Sequence, residues 1–245
     1  MEFGSEGLIR LTGAFDPPGM AESMWKALER RGPRRDDPQT WVRDAQPIAV
    51  RKWMNKFAKS GVFAAVASDT VRETLSSLLG RNWTEDGGWG GGLVTFPGPG
   101  AWEVPAGGWH IDMPATPVLL AVRMFAYLDH VRPGGGGTVV VAGSHRLVER
   151  LPLVRSSDVR KTLAESSDWF KELWRPTGRE DRNQLLLNEG AEVDGVRVCV
   201  MELTGQPGDV VLWHPALLHA AAHNCLDQPR FMLTHTAFAP SEAES

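Results

Sequence analysis

The spacing of apolar positions changes along the chain, from helical spacing near the N-terminus to strand-like runs in the second half. Apolar residues three to four apart predict an amphipathic helix over residues 18–31 and a second helical region over about 65–80, which Gly80 ends. We expect Asp16 to cap the first helix, because prolines follow it where the first turn would begin. Residues 7–15 predict a short strand ahead of that helix.

Strand-like segments dominate after a stretch rich in glycine and proline, and one helical segment interrupts them. The predicted strands are 93–97, 118–129, 138–143, 196–205, 208–215 and 230–238. Residues 147–187 are helical in pattern, and we interpret them as an insertion that forms a lid over the site or packs on the barrel flank. The order predicts an α+β domain with a double-stranded β-helix (jelly roll, cupin-like) core, flanking N-terminal helices and this helical insertion. One domain is expected to cover residues 1–245.

Composition narrows the class of protein. The hydrophobic content of 42% is sufficient for a core, and the net charge of −4 argues against a nucleic-acid partner. No apolar run has the length of a membrane span, and the N-terminus lacks the pattern of a secretory signal. Cys199 and Cys225 form no close-spaced motif, which favours reduced thiols in a cytoplasmic protein. We therefore expect a cytoplasmic enzyme that acts on a small molecule, and the sequence does not indicate its oligomeric state.

The most informative polar pattern is the pair His110 and Asp112, separated by one residue. On an extended segment both side chains point the same way, because strand residues alternate faces. With a second histidine from elsewhere they complete a two-histidine, one-carboxylate triad, which holds Fe(II) and leaves coordination positions open. On its own, the pair is better explained as two polar residues that happen to share one face of a strand.

Among the remaining histidines, His219 is favoured as the third ligand. It lies eleven residues before Arg230, a step that allows a short loop and a return on a neighbouring strand. A guanidinium near the metal suits the distal carboxylate of 2-oxoglutarate. His214 is interpreted as structural, and His223 is expected in the loop.

Four segments resemble the phytanoyl-CoA dioxygenase family of Fe(II)- and 2-oxoglutarate-dependent oxygenases. They are GLIRLTGAFDPPGMAESMWKAL (7–28), GGWHIDMPATP (107–117), LDHVRPGGGGTVVVAGSHR (128–146) and GDVVLWHPALLHAAAHNCLDQPR (208–230). The resemblance implies a dioxygenase that uses Fe(II), 2-oxoglutarate and O₂ to hydroxylate or otherwise oxidise a C–H bond of its substrate. It also implies cosubstrate contacts from Phe125 and Thr95. Ala221 stands where the family commonly has a serine, which puts one cosubstrate hydrogen bond in doubt.

Two alternatives remain open at this stage. The same triad binds zinc, so a cupin-like metal-dependent hydrolase or isomerase is the alternative enzyme. Neither of these reactions requires Arg230 eleven residues after the last ligand. A non-catalytic binding protein on the same scaffold is the other alternative.

Tryptophan is unusually frequent, with ten residues against a single tyrosine. Trp89, Trp102 and Trp109 lie in the segment that leads to the predicted metal strand, and Met113 follows that strand directly. Indole rings there are expected to line an apolar substrate pocket, with Trp102, Trp109 and Met113 as the candidate lining residues. This composition favours a small, mostly apolar substrate such as a secondary metabolite.

Overall fold

The computed structural model describes residues 2–41, 52, 56, 58–85, 89, 91–116, 118–152, 155–176 and 180–240. Its α-helices are α1 (Glu2–Glu6), α2 (Met20–Glu29), α3 (Asp69–Leu79), α4 (Ser144–Val148), α5 (Ser156–Ser166) and α6 (Asp168–Leu173). Shorter helical turns cover Pro38–Thr40, Ala58–Val62, Ala64–Val66 and Gln184–Glu189. The strands are β1 (Leu8–Leu11), β2 (Thr84–Glu85), β3 (Gly91–Thr95), β4 (Ala121–Tyr127), β5 (Thr138–Ala142), β6 (Ala191–Val193), β7 (Val196–Glu202), β8 (Val210–Trp213), β9 (His219–Ala221) and β10 (Arg230–Phe238).

These strands form two antiparallel sheets. The larger sheet has the order β1-β8-β4-β10-β2, with β3 also paired to β10, and the smaller has the order β6-β7-β5-β9. Phe125, Trp213 and Met232 of the larger sheet share one apolar cluster with Val140 of the smaller, so the two sheets pack face to face. The predicted α+β jelly-roll class is confirmed, and the two sheets stay separate without closing into a barrel.

Helices cover the outer face of the larger sheet. Alternation along β4 turns Val122 and Met124 outward, where they join Met24 of α2 and Leu75 of α3 in a buried cluster. All four side chains are at most 1% exposed. The two helices predicted from apolar spacing are therefore confirmed, and their apolar faces cover this side of the sheet.

The start of α2 differs from the expectation. Gly19 precedes the helix in a left-handed conformation, with φ of 73°, and no side chain caps the first turn. The amide of Met20 donates to the carbonyl of Pro17 at 3.0 Å, so a tight turn separates Asp16 from the helix. The prediction that Asp16 is the cap is wrong, because the turn through the two prolines comes before the helix begins. No helix in the described part of the chain has the length and apolar composition needed to cross a membrane.

The insertion over residues 147–187 packs against the outer face of the smaller sheet. Val159 of α5 and Phe170 of α6 share a buried cluster with Val139 of β5 and Val198 of β7. Each of these four residues is fully buried. The described helices of the insertion pack on this outer face, where they complete a second apolar layer. A lid over the site stays a prediction.

Arg182, near the end of the insertion, ties it to the loop that leads to the predicted metal ligands. The residue is only 3% exposed. Its guanidinium donates to the carbonyls of Leu173 at 2.8 Å and Glu172 at 3.1 Å, and to those of Pro105 at 3.3 Å and Val104. Because a buried guanidinium is stable only when its donors are satisfied, these bonds fix the loop against the helices.

The connection between β8 and β9 corrects a second expectation, that Arg230 returns on a strand next to the one that carries His219. β8 ends at Trp213 in the larger sheet, and β9 begins at His219 in the smaller. Arg230 begins β10, which belongs to the larger sheet and is not a neighbour of β9. His219 and Arg230 therefore approach the space between the sheets from opposite sides.

Candidate metal centre

His110 and His219 face each other across a single antiparallel bridge. The amide of His110 donates to the carbonyl of His219 at 2.9 Å, and the reverse bond measures 3.0 Å. Directly paired residues in an antiparallel ladder place their side chains on the same face, and the two imidazole centroids are 4.1 Å apart. One pair of backbone hydrogen bonds thus brings together two residues that are far apart in the sequence.

Backbone carbonyls select the same tautomer for both rings. Nδ1 of His110 lies 2.8 Å from the carbonyl oxygen of Gly108, and Nδ1 of His219 lies 2.9 Å from that of Leu217. A carbonyl oxygen only accepts, so in the neutral form of either ring Nδ1 carries the proton and Nε2 keeps its lone pair. A hydrogen bond of this kind orients a metal-binding imidazole.

Asp112 completes the cluster. Its Oδ1 lies 3.8 Å from Nε2 of His110 and 3.7 Å from Nε2 of His219. One ligand atom from each residue lies within 4.8 Å of the others. The three predicted ligands therefore converge, although the segment that carries His110 and Asp112 joins the sheet by a single bridge and not as a full strand.

Burial favours the neutral form of His219. Its side chain is 7% exposed, and burial lowers the pKa of its imidazole below the usual value, against the opposing pull of the Asp112 carboxylate. His110 has a more exposed side chain, at 48%. A neutral imidazole is the form that binds a metal ion, so His219 is ready to bind one near neutral pH.

Arg123 of β4 contacts this cluster, and sequence reasoning missed it. Its Nε lies 2.6 Å from Oδ2 of Asp112. The guanidinium also donates to the hydroxyl of Thr234 at 3.2 Å and to that of Thr236. The available signal was one charged residue inside the buried, apolar run 118–129, where a charge needs a partner.

Arg230 lies buried between the sheets, with 7% of its surface exposed. One of its terminal nitrogens donates to the carbonyl of Gly136, while its Nε has no hydrogen-bond partner among the described residues. Burial lowers the pKa of Arg230 to about 10, and Tyr127 and Glu202 favour its charged form. The guanidinium is therefore still charged at neutral pH and has an unused donor inside the protein.

The two other residues expected at the cosubstrate lie in the same region. Phe125 is 5% exposed and stacks on Trp213, with centroids 5.4 Å apart. Trp213 in turn meets the imidazole of His219 edge to face at 4.5 Å. Thr95 of β3 pairs in register with Arg230 of β10. The Trp213 ring therefore separates Phe125 from His219. Thr95 lies directly beside Arg230 on the neighbouring strand.

The predicted substrate residues separate into two groups. Met113 lines an apolar cavity of about 170 Å³, together with Leu120, Ala121 and His214 among others. Trp109 is buried in the cluster between the smaller sheet and the helices, and its Nε1 donates to the carbonyl of Pro105 at 2.7 Å. Trp109 therefore packs in the core and is not among the residues that line the cavity at Met113.

Two further tryptophans also differ from the expectation. Trp102 is half-buried against the cluster that contains Trp109 and approaches the glycine turn at Gly134. Trp89 stacks on His235, with ring centroids 4.7 Å apart, within the cluster on the outer face of the larger sheet. Neither indole is found among the residues that line the cavity at Met113.

Among the described residues, the other histidines considered as ligands do not belong to the cluster of His110, Asp112 and His219. His214 is 7% exposed, and its Nδ1 accepts a hydrogen bond from the amide of Ala216 at 3.1 Å. His223 is in the loop after β9, where its Nε2 lies 3.0 Å from the carbonyl of Pro99. The local hydrogen bonds of both rings agree with structural roles.

Solved structures with the same architecture give an independent comparison. The epimerase SnoN in complex with Fe³⁺, alpha ketoglutarate and nogalamycin RO aligns over 97% of this chain and 81% of its own, with 18% identity and a TM-score of 0.51. HygX from Streptomyces hygroscopicus with nickel, 2-oxoglutarate and hygromycin B bound aligns over 97% and 84%, with 16% identity and a TM-score of 0.50. AviO1 from Streptomyces viridochromogenes Tue57 aligns over 98% and 93%, with 18% identity and a TM-score of 0.55. At these identities the likeness shows the shared fold.

No curated protein sequence matches this chain. The family model of phytanoyl-CoA dioxygenase (PhyH), in contrast, matches residues 3–232 and so includes all the ligand candidates and Arg230. The chain therefore belongs to the phytanoyl-CoA dioxygenase family and is an enzyme of the class that depends on iron and 2-oxoglutarate.

Proposed function

We infer that His110, Asp112 and His219 hold Fe(II), and that Arg230 binds the distal carboxylate of 2-oxoglutarate. The observation that carries this assignment is the convergence of one ligand atom from each triad residue within 4.8 Å. The donor set fits the ion, since two neutral imidazoles and one carboxylate are the ligands of non-haem Fe(II) oxygenases.

The contacts of Arg230 support the assignment of the cosubstrate. Its Nε has no partner among the described residues, although the side chain is buried. Leaving a charged donor unpaired inside a protein is costly, so the site favours a ligand that brings a carboxylate. A guanidinium binds a carboxylate through two parallel hydrogen bonds, which fixes orientation as well as affinity.

When bound, iron and 2-oxoglutarate supply the oxidising power: O₂ converts the cosubstrate to succinate and carbon dioxide while a substrate C–H becomes C–OH. The chain itself positions the reactants and shields them. Phe125 and Trp213 stack as an apolar wall beside His219, which keeps water from that side of the site. Arg230 would hold the distal carboxylate of the cosubstrate from the larger sheet, opposite the smaller sheet that carries His219.

The substrate we propose is a small, mostly apolar molecule such as a secondary metabolite. The cavity at Met113 is apolar, and Val118 and Leu120 nearby expose 66% and 47% of their surface. Exposed apolar side chains beside a cavity are typical of a binding entrance. Nogalamycin RO and hygromycin B, bound in the structures of SnoN and HygX, are small molecules too. SnoN is described as an epimerase, so epimerisation is the alternative outcome to hydroxylation at the same site.

A cytoplasmic location without nucleic-acid or membrane partners is part of the proposal. Cys199 and Cys225 are both free and half-buried, which agrees with a reducing compartment. The net charge of −4 gives no general attraction to phosphate backbones or to anionic lipid surfaces.

Anaerobic titration tests the assignment before any substrate is known. Purified protein receives Fe(II) and then 2-oxoglutarate, and the visible charge-transfer band of the chelated complex is recorded. We expect the band in the wild type and its loss in His110→Ala. A matched control is His130→Ala, because that exposed ring lies 3.0 Å from the side chain of Gln206, away from the triad. A wild type without the band, or a band that persists in His110→Ala, would contradict the proposed site.

A further inference from the structure

The two oxygens of the Asp112 carboxylate have different neighbours. Oδ1 faces Nε2 of His110 at 3.8 Å and Nε2 of His219 at 3.7 Å. Oδ2 points the other way and lies 2.6 Å from Nε of Arg123. One oxygen is thus directed at the space between the imidazoles, and the other is held by a guanidinium.

Arg123 is itself fixed from three sides. Its two terminal nitrogens donate to the hydroxyls of Thr234, at 3.2 Å, and Thr236 on the neighbouring strand β10. The guanidinium carbon also lies 5.6 Å from the ring centroid of Trp213 on β8, the strand on the other side of β4. Contacts from both flanking strands leave the side chain little freedom, so the position of its Nε is set by the larger sheet.

We propose that Arg123 is the positioning residue that keeps Asp112 a one-oxygen ligand. This inference rests on the metal site proposed above. An octahedral ion would offer six positions. The triad would fill three if each residue gave one atom, the cosubstrate would fill two, and one would stay open. If Oδ2 also bound, no position would remain for O₂. By holding Oδ2, Arg123 preserves the open position on which the reaction depends.

Removal of Arg123 would change the metal affinity through two effects of opposite sign. Arg123 is a cation beside a site for a dication, so by Coulomb repulsion alone its removal strengthens metal binding. Loss of the orientation of Asp112 weakens metal binding instead, by about 10- to 100-fold for residues that support a ligand from behind. The two effects have opposite directions, and the measurement of affinity separates them.

The experiment titrates Co(II) into metal-free protein and records both the dissociation constant and the visible spectrum of the bound ion. Arg123→Met removes the ion pair while it keeps most of the side-chain volume. Arg123→Lys keeps the charge but cannot reach Asp112 and both threonines together. Arg132→Met is the matched control, because this arginine is half-exposed and pairs only loosely with Asp227 at 3.4 Å.

We expect Arg123→Met to bind Co(II) about 10- to 100-fold more weakly than the wild type, with an altered spectrum. Arg123→Lys is expected to recover part of this affinity. Arg132→Met is expected to match the wild type. Equal or tighter binding by Arg123→Met would overturn the inference and leave the metal site intact. A wild type that binds no Co(II) would overturn the proposed function instead. If Arg123→Met fails to fold, Thr236→Val is the substitute, because it removes one hydrogen-bond partner of the guanidinium. We expect this variant to lose less Co(II) affinity than Arg123→Met. Unchanged affinity and spectrum in Thr236→Val would also refute the positioning role of Arg123.

Discussion

The indole of Trp213 meets the imidazole of His219 edge to face, with ring centroids 4.5 Å apart and the planes inclined by 66°. The two residues belong to different sheets, so this contact joins the sheets directly behind the candidate metal centre. Phe125 stacks on the same indole. Trp213 thus contributes to the core and contacts one of the proposed metal ligands at the same time.

Trp213→Ala is expected to destabilise the fold strongly. The side chain is fully buried, and the loss of a buried aromatic ring costs about 3–5 kcal/mol because a cavity remains. Trp213→Phe keeps an aromatic contact with His219 and is expected to cost less. Urea denaturation of the metal-free proteins measures both changes. A loss below about 1 kcal/mol for the alanine variant would show that the neighbouring side chains collapse into the space.

Arg230→Met is expected to weaken the binding of 2-oxoglutarate. A charge-assisted hydrogen bond contributes about 1.5–3 kcal/mol, which corresponds to a rise of roughly 10- to 150-fold in the dissociation constant. Calorimetry with Co(II) in place of iron measures this constant without turnover. Met replaces the arginine at similar volume, and Arg132→Met removes an exposed arginine as the control. If both variants bind 2-oxoglutarate like the wild type, another group holds the distal carboxylate.

The residues that the sequence placed correctly follow from local rules. His110 and Asp112 share a side because extended residues alternate, and that rule needs no knowledge of the rest of the fold. The same rule turns Trp109 to the side opposite its neighbour His110, where it joins the core between the smaller sheet and the helices. The tryptophans were expected at the substrate from composition alone, and composition does not indicate which way a side chain points.

Arg123 could not be identified in the same way, because its partner depends on tertiary structure. Asp112 lies on a segment held at β9 of the smaller sheet, while Arg123 lies on β4 of the larger sheet. Only the packing of the two sheets brings the guanidinium to the carboxylate. The crossing between β8 and β9 was missed for a related reason, since the turn after Trp213 moves the chain to the other sheet without a long loop.

Two glycines of the turn between β4 and β5 offer a matched pair of substitutions. Gly136 and Gly134 both have a positive φ, 76° and 79°, so alanine is strained at either position. A Cβ at Gly136 would lie 2.8 Å from Cβ of Asn224, whereas the nearest atom at Gly134 is 3.8 Å away. The carbonyl of Gly136 also accepts a hydrogen bond from Arg230.

Gly136→Ala is therefore expected to lower the free energy of unfolding by about 1–3 kcal/mol more than Gly134→Ala, since only the first adds a clash. It is also expected to weaken 2-oxoglutarate binding, because the displaced carbonyl orients Arg230. Denaturation and calorimetry on both variants provide the test. If the two alanine variants lose equal stability, backbone strain alone explains the loss. If they also bind 2-oxoglutarate equally well, the turn at Gly136 has no role in cosubstrate binding.

Acid sensitivity is expected from the buried pair His145 and His214, whose ring centroids are 5.1 Å apart. Burial lowers the pKa of each to about 4, from 6.5 in the unfolded chain. The unfolded state therefore binds more protons between these values, so the stabilisation is complete above pH 6.5 and is lost as the pH falls towards 4. Each group accounts for at most about 3 kcal/mol.

His214→Asn isolates this contribution. The amide oxygen of asparagine keeps an acceptor for the amide of Ala216, which now donates to Nδ1 of His214, but it cannot take up a proton. The carboxylate of Glu149 lies 3.7 Å from Nε2 of His214 and also titrates in acid. Because Glu149 is present in both proteins, most of its contribution cancels when the two curves are compared. We expect the free energy of unfolding of the metal-free variant to fall less steeply than that of the wild type between pH 6.5 and 4. Parallel curves would mean that the pKa of His214 is the same in the folded and unfolded states, and the acid sensitivity would then have to come from other groups such as His145.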